Sequence, residues 1–136
     1  MAITIPTALR DARASVVLDA VDAGTPAAYL ELRDGTRPAD PSVAATGTLG
    51  ATIVLGNPAF PAPDASGTTA ANAAATVQAV AAVTPTWFRL YDGDGAAVFD
   101  GSAGATGTDA IVNPAAFEIG QDVILESLTW TEPDGT

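Results

Sequence analysis

The acidic segment Asp92-Gly93-Asp94-Gly95, with Asp100 downstream, is the cluster whose residue types and spacing come nearest to a cation site. Calcium takes six to eight oxygen ligands, and carboxylates at alternate loop positions can supply several of them. The EF-hand pattern also needs a third acidic or Asn ligand, a glycine at its sixth position and a terminal Glu, and these are missing here. Asp and Gly are equally the residues that tolerate positive φ in tight hairpin turns. We therefore interpret the segment as a hairpin turn and predict no metal ligands.

Other catalytic groups are scarce. The chain has no His and no Cys, and its five basic residues are all arginines. It therefore lacks the groups for Ser-His-Asp or Cys-His catalysis and for the usual zinc and iron–sulfur sites. Paired carboxylates can hydrolyse glycosides, but with 16 acidic residues some pair will fall at a suitable distance by chance. Because Glu31, Glu118 and Glu126 lie in strand-like stretches, we interpret them as outward-facing, and we predict a protein that is not an enzyme, with no catalytic residues and no cofactor.

Four aromatic residues offer a second kind of binding chemistry: Tyr29, Trp87, Tyr91 and Trp130. Aromatic rings can stack on sugars, but in a chain short of large apolar groups they more often belong to the core or to an interface. The two tryptophans discriminate between these readings. Coplanar exposed rings would favour sugar binding, and buried rings would favour a structural role.

The charge balance excludes some partners. The net charge is −11, from 5 basic and 16 acidic residues. Nucleic-acid binding needs Lys and Arg to neutralise phosphates, and anionic membrane surfaces attract basic segments for the same reason. We expect neither nucleic acid nor membrane as a partner.

The apolar content is lower than it first looks. Hydrophobic residues make up 48% of the 136 residues, but 30 of them are alanines. The remaining large apolar side chains can build only a small core, and such a domain gains stability by burying surface against partners. We therefore expect a homo-oligomer or a component of an assembly.

The N-terminal region predicts an extended arm over residues 1–6 and a helix over residues 7–23, capped by Thr7 and ended by Gly24. The helical spacing marks one apolar face, formed by Leu9, Ala12, Val16 and Ala20 and widened by Val17 and Val21. The charges oppose the helix dipole, since Arg10 and Arg13 lie in the first half and Asp19 and Asp22 in the last turns. Two interpretations stay open: these charges meet a partner, or they form a solvated face.

The rest of the chain, residues 28–131, reads as short strands separated by turn signals. The predicted strands are 28–33, 49–55, 86–91, 96–100, 110–112 and 123–131, and the last of these should place Ile124, Glu126, Leu128 and Trp130 on one face. Residues 102–109 read as a loop, and the Ala-, Thr- and Val-rich residues 68–84 as a long strand or a strand pair. We therefore predict that residues 1–136 form one domain of the all-β class, a β-sandwich (jelly-roll or Ig-like) with one N-terminal α-helix.

Several segments, taken in order, resemble a group of small structural virion proteins of tailed bacteriophages. They are residues 7–13, 34–38, 57–60, 86–92, 117–123 and 129–133. No single motif is specific, and the order and spacing carry the resemblance.

The resemblance implies a capsid decoration, or cement, protein on the outer surface of the phage head. Such a protein is not an enzyme, binds between capsomers, and has the major capsid protein and copies of itself as partners. An alternative is a β-sandwich protein of the tail or neck that binds carbohydrate or a receptor. A calcium-dependent hydrolase is a third and weaker reading, resting on the acidic turn.

Overall fold

The computed structural model describes residues 5–23, 27–56, 58–61, 68–70 and 76–131. Within these residues the chain forms one helix, α1 (Thr7–Val21), and eight strands: β1 (Tyr29–Arg33), β2 (Leu49–Val54), β3 (Thr68–Ala70), β4 (Val77–Gln78), β5 (Trp87–Tyr91), β6 (Ala97–Gly104), β7 (Ala110–Asn113) and β8 (Asp122–Thr131). The predicted β-rich chain with one N-terminal helix is confirmed.

Seven of the strands follow one another in a single sheet, in the order β2-β1-β5-β6-β7-β8-β3, while β4 pairs with β8 off this path. Beyond β4, Val80 N donates a hydrogen bond of 2.8 Å to Gly50 O on β2. Because β4 pairs with β8 near one end of the strand order, this contact connects that end to β2 at the other end. The result is a nearly closed, barrel-like sheet, and the expected two-sheet sandwich is not confirmed by this topology.

The core begins where β1 pairs with β5. Leu30 lies opposite Leu90 and Leu32 opposite Phe88 in an antiparallel ladder, and all four side chains are buried. Burying a side chain of this size contributes roughly 1.5–3 kcal/mol. The predicted alternation of β1 therefore holds, with its two leucines facing the core.

Both faces of β5 are covered. Trp87 and Arg89 on its second face lie under the loop between β1 and β2, where Trp87 Nε1 donates a hydrogen bond of 3.0 Å to Asp34 O and Arg89 Nη1 donates one of 2.7 Å to Val43 O. Trp87, Phe88, Arg89 and Leu90 are consequently all buried. A strand covered on both sides shows no alternation, and this is why its sequence did not indicate a buried Arg89.

Helix α1 begins where the sequence predicted it but ends at Val21 and not at residue 23, and the predicted stop at Gly24 lies outside the described residues. Pro6, not Thr7, occupies the cap position, no side-chain cap bond is formed, and Pro6 O instead accepts from Leu9 N at 3.0 Å. Of the predicted arm, residues 1–4 lie outside the described residues.

The buried face of α1 is formed by Ala14, Leu18 and Val21. Of the predicted face, Val21 is buried, whereas Leu9, Ala12, Val16 and Ala20 are exposed. The reason lies far along the chain: Asp22 Oδ1 accepts a hydrogen bond of 2.7 Å from Ala59 N, which anchors the end of the helix on residues 58–60 with Leu18 turned inward.

Two strand predictions need correction. Strand β6 runs on to Gly104, because Ala103 and Gly104 pair in parallel with Ala110 and Ile111 of β7, so the predicted loop starts at residue 105. Residues 68–84 contain two short strands, β3 and β4, in place of one long strand, and each of them pairs with β8. Residues 71–75 between them lie outside the described residues.

The predicted face of β8 is wrong in its first half because of a bulge. Ile111 pairs with Ser127 but Val112 pairs with Leu125, which leaves Glu126 as an extra residue on β8. A bulge of one residue reverses the alternation beyond it. Ile124 and Glu126 are therefore exposed, whereas Leu128 is buried.

Candidate functional surfaces

The acidic segment forms a turn stabilised by its own first carboxylate. Asp92 Oδ1 accepts hydrogen bonds of 2.9 Å from the backbone N atoms of both Asp94 and Ala96. Gly95 adopts a φ of +89°, which a residue with a side chain rarely does. The predicted hairpin between β5 and β6 is confirmed, and the carboxylate of Asp92 serves the backbone of the turn.

Asp100 belongs to a different set of contacts. Arg89 donates from Nε to Asp100 Oδ1 at 2.7 Å and from Nη2 to Oδ2 at 2.9 Å. Its Nη1 donates to Val43 O at 2.7 Å, in the loop that covers this face. The structure therefore separates Asp100 from the acidic turn, and within the described ranges no group of three or more acidic side chains is placed to hold a metal ion.

The Arg89–Asp100 pair is part of a polar layer across β1, β5 and β6. Glu31 lies directly opposite Arg89 in the ladder, and its Oε1 accepts from Arg33 Nη2 at 3.0 Å and from Tyr91 Oη at 3.1 Å. Glu31 lies on the outward face of β1 as predicted, but its carboxylate is part-buried and hydrogen-bonded to neighbouring side chains, whereas the sequence predicted a solvated one. Glu118 and Glu126 are exposed.

The electrostatics of the layer favour fixed protonation states. The pKa of Tyr91 is raised, first by burial and then by the charge of Glu31 and the hydrogen bond to it. The pKa of Arg89 is raised chiefly by its hydrogen bond to Asp100. The protonated phenol of Tyr91 links β5 to Glu31 on β1, and the guanidinium of Arg89 links β5 to Asp100 on β6. These contacts hold the three strands together.

The four aromatic residues do not form one platform. Tyr29 and Tyr91 stack with ring centroids 5.0 Å apart, and buried Trp87 lies beside Arg89, whose Cζ is 5.5 Å from the indole centroid. Trp130 packs elsewhere, against Phe99 at 4.8 Å. The arrangement of Trp87 is the one expected for a structural role.

A cleft between β6 and β8 was not expected from the sequence. It has a volume of about 360 Å³, and Phe99, Asp100, Asp109 and Trp130 are among its lining residues. Asp109 Oδ2 accepts from Ser102 N and Oγ, both at 3.0 Å. The cleft arises because β7 pairs with β6 only at Ala103 and Gly104. Its lining residues come from four separate segments, so no local pattern could have indicated it.

The outward face of α1 is a second unexpected surface. We call Leu9, Ala12, Val16 and Ala20 the α1 stripe. Leu9 and Val16 keep 49% and 71% of their surface exposed, and both alanines are exposed as well. Exposed apolar groups gathered on one helix face mark an interaction site when they are contiguous.

A third apolar surface lies at the end of β4. Gly120 N donates a hydrogen bond of 2.8 Å to Ala79 O, which brings Ile119 next to Val80 along the backbone. These two side chains are 75% and 61% exposed. We call them the Val80–Ile119 patch.

No protein-family model, curated protein or solved structure matches this chain. In the described part of the chain, no helix is long and apolar enough to span a membrane. The function therefore has to be argued from the surfaces above and from the sequence resemblance.

Proposed function

We propose that this protein is a non-enzymatic structural component of a tailed-phage virion, and more specifically a head decoration, or cement, protein that stabilises the capsid by binding between capsomers. Its partners in this proposal are the major capsid protein and copies of itself, on the outer surface of the head. The finer architecture, a β-sandwich of jelly-roll or Ig-like type, belongs to the same proposal. The proposal starts from the sequence resemblance to small virion proteins, which is carried by the order and spacing of six segments along the chain.

The observation that carries the proposal is the Val80–Ile119 patch. Two large apolar side chains are more than half exposed on a domain that has few such residues. While these side chains are exposed to water, they contribute no burial free energy to a domain with a small core. Contact with a partner surface would bury them and stabilise the protein. A net charge of −11 is compatible with this role, since an acidic protein does not bind DNA.

The test uses phage heads that lack this protein and single purified variants added back. Val80→Asp and Ile119→Asp each place a charge in the patch, and we expect occupancy on the heads to fall at least tenfold. Val54→Asp is the matched control, because Val54 is about half exposed but lies on β2. Equal occupancy for all three variants and the unaltered chain would contradict the proposal.

The cleft favours a second candidate, a tail- or neck-associated protein that binds carbohydrate or a receptor. Aromatic rings beside a carboxylate are a common combination for sugar recognition, and Phe99, Trp130 and Asp109 supply both. The two indole N–H signals in an NMR spectrum separate the candidates. A sugar in the cleft should shift the signal of Trp130 and leave that of buried Trp87 in place. If titration with mono- and oligosaccharides moves neither signal, this candidate fails.

A further inference from the structure

We propose that the cleft between β6 and β8 binds residues 1–5 of a second copy of this chain, which add to the sheet there as a further strand. This inference deepens the self-association part of the proposed function and rests on that part. It names the site, the segment that fills it and the contacts between them.

The cleft lies where the sheet lacks a strand. Strand β7 lies between β6 and β8 in the strand order, but it pairs with β6 only at Ala103 and Gly104. Within the described residues, the edge of β6 over residues 97–102 therefore meets no strand on this side. Strand β8 likewise pairs with β7 only as far as Leu128. The two open edges face each other across the space that a longer β7 would fill.

Main-chain groups of β6 point into this space. Ala103 N donates to Thr86 O, towards β5, and alternate residues of an antiparallel strand point their main-chain groups to opposite sides. Those of Ser102 and Asp100 therefore point into the cleft. Ser102 N meets the side chain of Asp109, at 3.0 Å from Oδ2, in place of a strand. The N–H and C=O of Asp100 are left for an incoming main chain.

The wall formed by β8 has the same character. Thr129 N donates to Asp109 O at 3.3 Å, so the main chain of Thr131, two residues further on, also points towards the cleft. An extended peptide segment is the ligand that offers alternating donors and acceptors to both walls.

The interior of the cleft is aromatic. Phe88, Phe99 and Trp130 line it, and the rings of Phe99 and Trp130 are only partly buried where they pack against the core. A large apolar side chain of a bound strand would cover these rings, and burying one contributes roughly 1.5–3 kcal/mol. The cleft therefore fits a strand that has one apolar face.

Residues 1–5 have these properties. They read Met-Ala-Ile-Thr-Ile, with large apolar side chains at alternate positions and no charged side chain. Five extended residues span about 16 Å, which is comparable to the open edge of β6. The other segments outside the described residues fit less well. Residues 62–67 and 132–136 each contain Pro and Asp, and residues 24–26 and 71–75 hold no large apolar side chain.

The position of Ile5 assigns the segment to a second copy. Ile5 is the described end of the segment, and it is not among the residues that line the cleft of its own chain. Pro6 is extended, with φ of −61° and ψ of 150°, and α1 begins directly after it. The segment thus leaves the helix in the extended conformation that a strand requires.

NMR titration of the full chain at low concentration tests the binding, with the synthetic peptide Met-Ala-Ile-Thr-Ile-Pro as the probe. The peptide should shift the indole N–H signal of Trp130 and leave that of buried Trp87 in place. The peptide with Ile3→Asp should need at least tenfold higher concentration for the same shift. The peptide with Thr4→Asp is the matched control and should bind nearly as well, because the fourth side chain points away from the aromatic rings. Equal shifts from all three peptides, or no shift from any, would overturn the proposal.

Disulfide cross-linking tests the second copy, since the chain has no cysteine of its own. Under mild oxidation, a mixture of Thr4→Cys and Thr129→Cys chains should give mainly the mixed dimer. Thr4→Cys mixed with Ile119→Cys is the control and should give little, because Ile119 is exposed but precedes the other end of β8. Equal yields from the two mixtures, or a link formed only within one chain of the double variant Thr4→Cys/Thr129→Cys, would overturn the proposal. None of these measurements involves phage heads, so they can fail while the Val80–Ile119 test succeeds, and the reverse.

Discussion

Arg89 and Asp100 form a two-bond ion pair across the β5–β6 hairpin, with N–O distances of 2.7 and 2.9 Å. Both side chains are almost completely buried. The remaining Nη1 of Arg89 bonds to Val43 O, so the same guanidinium ties the loop between β1 and β2 to the sheet. The pair thus joins a local hairpin to a segment more than forty residues away in sequence.

Removing one partner of this pair should be costly. We expect Asp100→Ala to lower the free energy of unfolding by about 3–5 kcal/mol, because it leaves a buried guanidinium without its counter-charge. The double variant Arg89→Met/Asp100→Leu should recover most of this loss, since no buried charge is left. Urea unfolding measures both, with Asp94→Ala in the exposed turn as the control. A cost for Asp100→Ala no larger than that of Asp94→Ala would contradict the role given to the pair.

The phenol of Tyr91 should titrate above its ordinary pKa of 10.0, because burial and the nearby Glu31 carboxylate both disfavour the phenolate. In a Tyr29→Phe background Tyr91 is the remaining tyrosine, so absorbance at about 295 nm follows it alone. Glu31→Gln should lower this pKa but leave it raised, since burial is the larger cause. An unchanged pKa in Glu31→Gln would contradict the contribution of the carboxylate.

The same shift gives a pH dependence of stability. Because the folded protein holds the phenolic proton more tightly than the unfolded chain does, this contribution is fully present below the unfolded pKa and is lost as pH rises through the folded one. Thermal melts above pH 10 should therefore show a steeper loss of stability for the unaltered chain than for Tyr91→Phe. Identical slopes would contradict this linkage.

The turn at Asp92 should depend on its side-chain acceptor and not on a metal. Asp92→Ala removes the acceptor for two backbone N–H groups and should cost about 1 kcal/mol, whereas Asp92→Asn keeps an oxygen and should cost less. Asp94→Ala is the control. Melting temperatures with calcium and with EDTA should be equal for the unaltered chain. A melting temperature that rises clearly with calcium would contradict the prediction that this turn holds no metal ion.

The parts of the fold that could be predicted from sequence are those fixed by neighbouring residues. Strand β1 and the β5–β6 hairpin follow from alternating apolar residues and an Asp-Gly turn. The burial of Arg89 could not be predicted in this way, because it depends on a loop that covers the second face of β5. The cleft depends similarly on where β7 stops pairing with β6.

Helix α1 shows a different limit of sequence reasoning. Its apolar residues form stripes on two sides, one with Leu9 and Val16 and one with Leu18 and Val21. Helical periodicity identifies both but cannot decide which one packs inward. The decision comes from residues 58–60, which bind Asp22 and fix the rotation of the helix.

Strand β8 offers the sharpest test of the link between sequence pattern and structure. Deleting Glu126 removes the extra residue opposite the Ile111–Val112 step. The shortened strand would read Val, Ile, Leu, Ser, Leu, Thr, Trp from residue 123, which alternates without interruption. We expect this deletion to change the free energy of unfolding by less than about 1 kcal/mol, because every buried side chain of β8 keeps its direction.

Deleting Ile124 is the matched control, since it also shortens β8 by one exposed residue. It does not remove the bulge, and it turns Val123 from the core to the surface while the rest of the strand keeps its register. We expect a loss of roughly 2–4 kcal/mol for this variant, comparable to emptying a core position. Urea unfolding of the two deletions side by side is the measurement. If deleting Glu126 costs as much as deleting Ile124, the bulge at Glu126 does not explain the burial pattern of β8, and the prediction is wrong.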